Sequence, residues 1–408
     1  MKCVPLQPVM RSFFSVLMLV LTICSTNAQT TEGDSVTTLP WPRNLQSKID
    51  VIVQDPLLDI SQLGLMVWDL TADSAIYRYN DRQLMRPAST MKLVTAITAL
   101  DKLGVNYKFN TLLYYTGEIS NRTLHGDLYF VGGMDPMIDL PELRGFARAI
   151  RQLGIDTIRG SLIADKTMKD TLKWGEGWCW DDKNPTLSPL TISRDTHFLE
   201  QFAQVLMDDS LSIDSLTLGE GQLPAGAIAI GTCQHTLDQV LVKMMKDSDN
   251  FYAECVLFQT AAASGRRPAK ADDALAATRR LINSIGLNAS DYRLADGSGL
   301  SLYNYVTPEL MTRLLRYTWR HKAIYQHLQP TLPIAGQDGT LKKRMTRSAS
   351  EGNVRAKTGT LTGIVSLAGY CTAPNGHELC FAIINQGVMS WRKGRALQDR
   401  ICDAMCEP

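Results

Sequence analysis

No long run of one charge sign marks this chain, whose 42 Lys and Arg face 41 Asp and Glu. The resulting formal charge of +1 offers no nucleic-acid footprint. Histidine is scarce, with six residues and no His-x-x-x-His or other metal spacing. The cysteines form neither a zinc pattern nor a Cys-x-x-Cys redox pair. Repeats and low-complexity tracts are missing. So is the Gly-x-Ser-x-Gly elbow, because Ser298 has Asp296 where the first glycine would stand. No apolar span follows the one at the N-terminus, so membrane association is expected to be peripheral at most. Nothing in the pattern asks for a cofactor or a metal.

What is present is ordinary for a globular protein: 408 residues, 45% apolar and 20% charged, enough for one large or two medium domains. The first 28 residues stand apart. Lys2 and Arg11 precede SFFSVLMLVLTIC, and small residues close on Ala28, the pattern of a secretory signal peptide. Cys24 admits a lipoprotein reading, which the bulk of Ile23 before it disfavours. Export to the periplasm or cell envelope is therefore expected, in an oxidising compartment where disulfides form. Of nine cysteines, Cys3 and Cys24 leave with the signal. A two-residue Asn375-Gly376 turn would set Cys371 opposite Cys380, as a bridge or as two strand thiols.

Residues 63–80 alternate around a polar turn and read as a hairpin. KLVTAITALDKLG reads as a helix ended by Gly104. From 105 to 225 short strands and turns predominate, expected to form an inserted, mostly β accessory domain. Helices return at His235, with a Thr236/Gln239 capping box and an apolar face of Leu237, Val240, Leu241 and Met244. Thr307-Pro308 opens another helix. Two strands, VRAKTGTLTGIVSLAGYC and ELCFAIINQG, precede a last helix from about Trp391. The expectation is an α+β fold: a helix-flanked sheet built by 29–104 and 226–408 and split by the insert.

In RPASTMKLVT, Ser89 stands three residues before Lys92, so on a helix both side chains share a face. A serine hydroxyl is a weak nucleophile until a base takes its proton. A lysine serves once burial or nearby positive charge favours its neutral form. Alone the pair is commonplace: a helix-start serine beside a snorkelling lysine. Two later clusters change the reading. Ser248-Asp249-Asn250 sits between helices, with a hydroxyl to relay a proton and an amide to hold a peptide. Lys357-Thr358-Gly359-Thr360 sits on a strand, with a cation and hydroxyls suited to a carboxylate and a glycine that permits close approach. Singly these read as a capped turn and an edge strand with a gatekeeper lysine. Together, in this order, they match the signature of serine acyl-transferases that react with β-lactams.

With these motifs the chain resembles the class C penicillin-binding proteins, D-alanyl-D-alanine carboxypeptidase/endopeptidases of the penicillin-binding protein 4 type. LYFVGGMDP, GEGWCWDD, DGSGLS and LPIAGQDGTL extend the likeness over nearly all of the mature chain. The resemblance implies a penicilloyl-serine transferase domain with a mostly β insert. It further implies cleavage of peptidoglycan stem peptides and cross-links through an acyl-enzyme on Ser89, with β-lactams as covalent inhibitors. Lys92 would take the serine proton and Ser248 pass it to the leaving group. Asn250 would hold the substrate peptide, and Lys357, Thr358, Gly359 and Thr360 its terminal carboxylate. The backbone N–H groups of Ser89 and Thr360 would form the oxyanion hole. The chain departs from the family pattern in a shorter stretch between Ser89 and Ser248, in Leu302 for a basic residue, and in Met134 for a glycine. Related alternatives are a β-lactamase or esterase, against which the missing Glu-x-x-Leu-Asn and Tyr-x-Asn strings count, and a catalytically silent wall-binding scaffold. Trp178 and Trp180 are expected to pack in preference to forming a sugar-stacking platform, and Asp135-Pro136 and Asp181-Asp182 to turn the chain.

Overall fold

The computed structural model describes residues 39–407; the signal segment expected over 1–28 lies outside them. Along the chain run α1 (Arg43–Ile52), β1 (Gln62–Asp69), β2 (Ser74–Tyr79) and α2 (Met91–Leu103). Next come β3 (Lys108–Tyr115), β4 (Glu118–Ser120), β5 (Thr123–His125), β6 (Leu128–Val131), α3 (Leu140–Gln152) and β7 (Thr157–Asp165). Then follow α4 (Phe198–Asp208), β8 (Ser212–Glu220), β9 (Ile228–Thr236), α5 (Leu237–Lys246), α6 (Asn250–Ala262) and α7 (Ala271–Ser284). The chain closes with α8 (Pro308–Arg320), α9 (Lys322–Leu328), β10 (Arg355–Leu361), β11 (Ile364–Thr372), β12 (Glu378–Gln386) and α10 (Trp391–Cys406). Among the described residues no helix is long and apolar enough to cross a membrane.

The first sheet is antiparallel, in the order β10-β11-β12-β1-β2, so strands from both ends of the chain join where β1 pairs with β12. Alternation along each strand gives it two buried faces. Leu63, Leu65, Val67, Leu367, Phe381 and Ile383 pack on one face with α1 and α10. Met66, Ala368, Tyr370, Ala382 and Ile384 pack on the other with α2, α5, α6, α7 and α8. Burial on both faces explains why β11 and β12 read as continuous apolar runs.

The second sheet, β4-β5-β7-β6-β3-β9 with β8 on β7, mixes parallel and antiparallel pairs. It takes in β9, beyond residue 225, and α3 and α4 cover it, so the segment is less purely β than its turn-rich sequence implies. Both helices bury regular apolar faces, and α3 begins with a capping box of Asp139 and Glu142.

Register decides the cysteines. Ala373 N–H bonds to the His377 carbonyl at 2.8 Å, so three residues, not two, close the β11–β12 hairpin. The pairing slips by one: Cys371 faces Leu379 and Tyr370 faces Cys380. Neighbours one step apart point to opposite faces. Cys371 accordingly packs on the α1/α10 side and Cys380 on the other, both as free thiols, and the Cys371–Cys380 bridge is excluded. The tail also holds three strands, because the run expected as one breaks at Thr362-Gly363 into β10 and β11.

Candidate active site

Ser89 lies on a 3-10 turn, Ala88–Thr90, that runs into α2, and Lys92 is the second residue of that helix. Ala88 has φ +48°, an uncommon backbone state for a residue with a side chain, and it orients the turn just before Ser89. The three-residue spacing places Lys92 Nζ 3.1 Å from Ser89 Oγ. Lys92 is wholly buried, and its ammonium nitrogen has two further acceptors, Asn250 Oδ1 and the Ser298 carbonyl, each at 2.7 Å. In the neutral amine, two N–H bonds to these acceptors leave the lone pair facing the Ser89 hydroxyl. Burial lowers the Lys92 pKa to about 7, against the opposing pull of Asp296 and then Glu254. The lysine is thus both aimed and discharged enough to act as a base near neutral pH.

The second cluster occupies the α5–α6 junction. Ser248 has φ +61°, while Asp249 caps α6 by accepting the Tyr252 N–H at 3.2 Å. Arg194, contributed by the loop before α4, pairs with the Asp249 carboxylate. Asn250 opens α6, accepts from Lys92 through Oδ1 and approaches Asn184 Oδ1 at 3.4 Å through Nδ2. The third cluster lies on β10, an edge strand, which leaves one side of its backbone unpaired within the sheet. Lys357 is buried and donates to Ser248 Oγ at 2.8 Å and to the Thr358 carbonyl at 2.7 Å. Burial, and then the nearby Lys92, pushes its pKa well below the usual lysine range. The hydroxyls of Thr358 and Thr340 meet at 2.7 Å. Polar contacts thus join Ser89, Lys92 and Asn250 in one set and Ser248, Lys357 and Thr358 in another, with Lys357 near enough to Lys92 to feel its charge. Gly359 and Thr360 continue the same strand along the Ser89 turn.

Gly359 has a steric reason. A Cβ there would strike Ser366 Oγ and stand 2.8 Å from the Pro87 carbonyl oxygen and 2.9 Å from Ser89 N. Only glycine lets β10 come this close to the serine turn. Gly359→Ala should push that turn away and cut the rate of serine acylation about 10²-fold, since displacements near 1 Å have that effect. Stopped-flow labelling with a fluorescent penicillin measures it; an unchanged rate would mean the turn yields without cost.

Behind Lys92 stands a second layer that motif reading missed. Glu254, one turn after Asn250 on α6, accepts the N–H groups of Gly297 and Ser298 at 3.0 and 2.9 Å. It thereby fixes the backbone leading into Ser298, whose own carbonyl holds Lys92. Burial, then the charge of Asp296, raises its pKa to about 8. Asp296 accepts from Trp178 Nε1, Ser298 Oγ, the backbone of Gly299 and Ser301, and Asn304 Nδ2, all within 3.0 Å. Trp178 therefore joins GEGWCWDD to DGSGLS, two segments whose only sequence signal was family likeness.

Trp178 is buried as expected, but Trp180 is 84% exposed and does not pack. Met134 stands at φ +52°, which accounts for a glycine being usual at that place. Asp135 does more than turn the chain: it is buried and pairs with His235 Nδ1 at 2.8 Å, with Cys233 close by. His197, His327 and His377 also pair with aspartates, and none of these histidines contacts the three motifs.

A helix-flanked antiparallel sheet, with a serine, its buried lysine, a Ser-x-Asn turn and a Lys-Thr-Gly edge strand gathered beside it, defines the penicilloyl-serine transferase fold. More narrowly, the chain belongs to the D-Ala-D-Ala carboxypeptidase 3 (S13) family, whose model matches residues 45–195 and 186–406. It is 27% identical to the D-alanyl-D-alanine carboxypeptidase of Actinomadura sp. (strain R39), over 89% of this chain and 84% of that one. Its identity to the D-alanyl-D-alanine carboxypeptidase DacB of Haemophilus influenzae is 26%, over 79% and 84% of the two chains. The fold matches the crystal structure of penicillin-binding protein 4 (dacB) from Haemophilus influenzae with TM-score 0.77 at 23% identity, covering 90% of this chain and 98% of that one. It also matches Bd3459, a predatory peptidoglycan endopeptidase from Bdellovibrio bacteriovorus, with TM-score 0.56 at 16% identity over 83% and 91% of the chains.

Proposed function

We propose that the protein is an exported serine D,D-peptidase that removes or splits at the D-alanyl-D-alanine bond of peptidoglycan stem peptides and cross-links. The observation that carries this reading is Lys92: a fully buried amine held by two acceptors and turned on Ser89 has no structural need to be a lysine. Ser89 Oγ attacks the carbonyl carbon between the two D-residues while its proton passes to Lys92 Nζ. The N–H groups of Ser89 and Thr360 stabilise the oxyanion. The C–N bond then breaks, Ser248 relays the proton taken up by Lys92 to the departing amine, and an ester to Ser89 remains until water hydrolyses it. Asn250 holds the acyl-side peptide bond. Thr358, Thr360 and Lys357 hold the terminal carboxylate, whose arrival restores the ammonium form that burial disfavours in Lys357. A β-lactam acylates the same serine.

The N-terminal 28 residues support export to the periplasm or envelope, where this substrate lies. The accessory segment 105–225 is proposed as an insert that walls one side of the cleft through Asn184 and Arg194. The test is digestion of purified monomeric and cross-linked muropeptides, with mass readout, for the wild type and Ser89→Ala. Wild type should release D-alanine or split dimers and form a penicillin adduct; Ser89→Ala should do neither. Steady nitrocefin turnover would indicate a β-lactamase instead, and wild type that never labels would indicate a scaffold.

A further inference from the structure

Arg395 sits on α10, facing the C-terminal end of β10. Its Nη2 donates to Thr360 Oγ1 at 3.0 Å, and its guanidinium lies over the Trp391 ring at 4.4 Å. Among the described residues no carboxylate forms a salt bridge with it: Asp399, one turn further on, is engaged by Arg344 at 2.6 Å. Arg344 Nη2 also approaches the Arg395 carbonyl at 3.3 Å and Gln398 Oε1 at 3.2 Å, which ties down this part of the helix. Gly394 lets the helix come close, because a Cβ there would stand 2.6 Å from Val365 Cγ2, and Val365 is the β11 partner of Thr360. Packing therefore holds the guanidinium at that threonine.

A half-buried arginine with no salt bridge of its own, offset only by the nearby charge of an Asp399 that Arg344 already engages, is an unfinished arrangement. Burial, and then the neighbouring Arg344, lowers its pKa, so an arriving anion would be welcome there. The threonine hydroxyl carries one proton, and an oxygen that accepts from Arg395 keeps that proton to donate elsewhere. Polarisation by the cation makes it a stronger donor.

We propose that Arg395 is a specificity-determining positioning residue: it turns the Thr360 hydroxyl toward the free carboxylate of the substrate's leaving D-amino acid and places a second positive charge beside it. The proposal rests on the D,D-peptidase reading and adds a preference for peptides whose leaving group bears a carboxylate over neutral esters and thioesters. Arg395 acts through Thr360 and need not touch the reacting atoms.

The experiment compares an acyl-D-alanyl-D-alanine peptide with an acyl-D-alanyl thioester whose leaving group is neutral, for wild type, R395A, R395Q and R395K. The loss of a charge-assisted contact predicts a fall of about 10- to 100-fold in kcat/KM of R395A on the carboxylate peptide, chiefly through KM. Thioester turnover should change less than about twofold by the same reasoning. R395K should recover part of the peptide activity, because it keeps the charge without the planar fork. R395Q, which keeps a donor but not the charge, should fall between R395A and R395K. Equal losses on both substrates, or no loss on the peptide, would overturn the role of Arg395 while leaving the D,D-peptidase intact. Wild type that acts on neither substrate and takes no penicillin on Ser89 would overturn the underlying reading, and this inference with it. Should R395A lose its cooperative unfolding transition, the R395K and R395Q ratios decide alone, and a peptide-to-thioester ratio equal to that of wild type in both would also overturn the role.

Discussion

Lys92→Met is expected to lower the rate of Ser89 acylation by about 10²- to 10⁴-fold, the range in which a positioned general base contributes. Methionine fills the volume of a lysine stem without the amine, so the fold should persist. In the wild type the acylation rate should rise with pH and level off, with its midpoint at about 7, the pKa to which burial brings Lys92. The sign follows from the role: below that value the amine is protonated and cannot take the serine proton, and above it the lone pair is free. Labelling rates with a fluorescent penicillin between pH 5 and 9 would show both effects. A flat profile in the wild type, or a Lys92→Met protein that still labels at the wild-type rate, would remove Lys92 from the chemistry.

The second large effect is expected at Asp296, which has no accessible surface and gathers five hydrogen bonds. Asp296→Ala leaves the Trp178 indole N–H, the Asn304 amide and two backbone N–H groups without their acceptor in a dry interior. Breaking a buried charged network in this way costs about 3–5 kcal/mol. It also removes the stronger of the two charges that hold up the Lys92 pKa, so the acid limb of acylation should move to lower pH in whatever protein folds. Denaturant unfolding followed by tryptophan fluorescence tests the first part and the pH profile tests the second. A wild-type unfolding midpoint would show that the 296–301 loop is held by packing alone.

The two predictions differ in how far the sequence foretold them. Lys92 was legible because local chemistry and local geometry coincide: three residues at the start of a helix fix the distance between amine and hydroxyl without reference to the rest of the chain. The Ser248 turn and the Lys357 strand were legible for the same reason, each on the type of element its chemistry needs. Helix limits followed from caps, as at Thr236/Gln239, Thr307-Pro308 and Gly104. Asp296, Glu254 and Trp178 gave no such signal. An aspartate in a Gly/Ser-rich loop and a glutamate inside an apolar helix carry the same letters whether buried or solvated. The helix α3 is a different case: its capping box and apolar face were readable and were masked by the turn-rich sequence around it.

By itself the sequence determined which elements carry the candidate groups and how neighbours among them are spaced, since spacing of a few residues along a regular backbone is a local quantity. Only the tertiary structure decided which distant groups meet: Lys357 with Ser248, Glu254 with the backbone N–H of Ser298, Arg395 with Thr360. It also decided that Cys371 and Cys380 part company. The physical reason is that such meetings depend on packing and register summed over the whole chain, where one extra residue in a turn sends a side chain to the other face of a sheet.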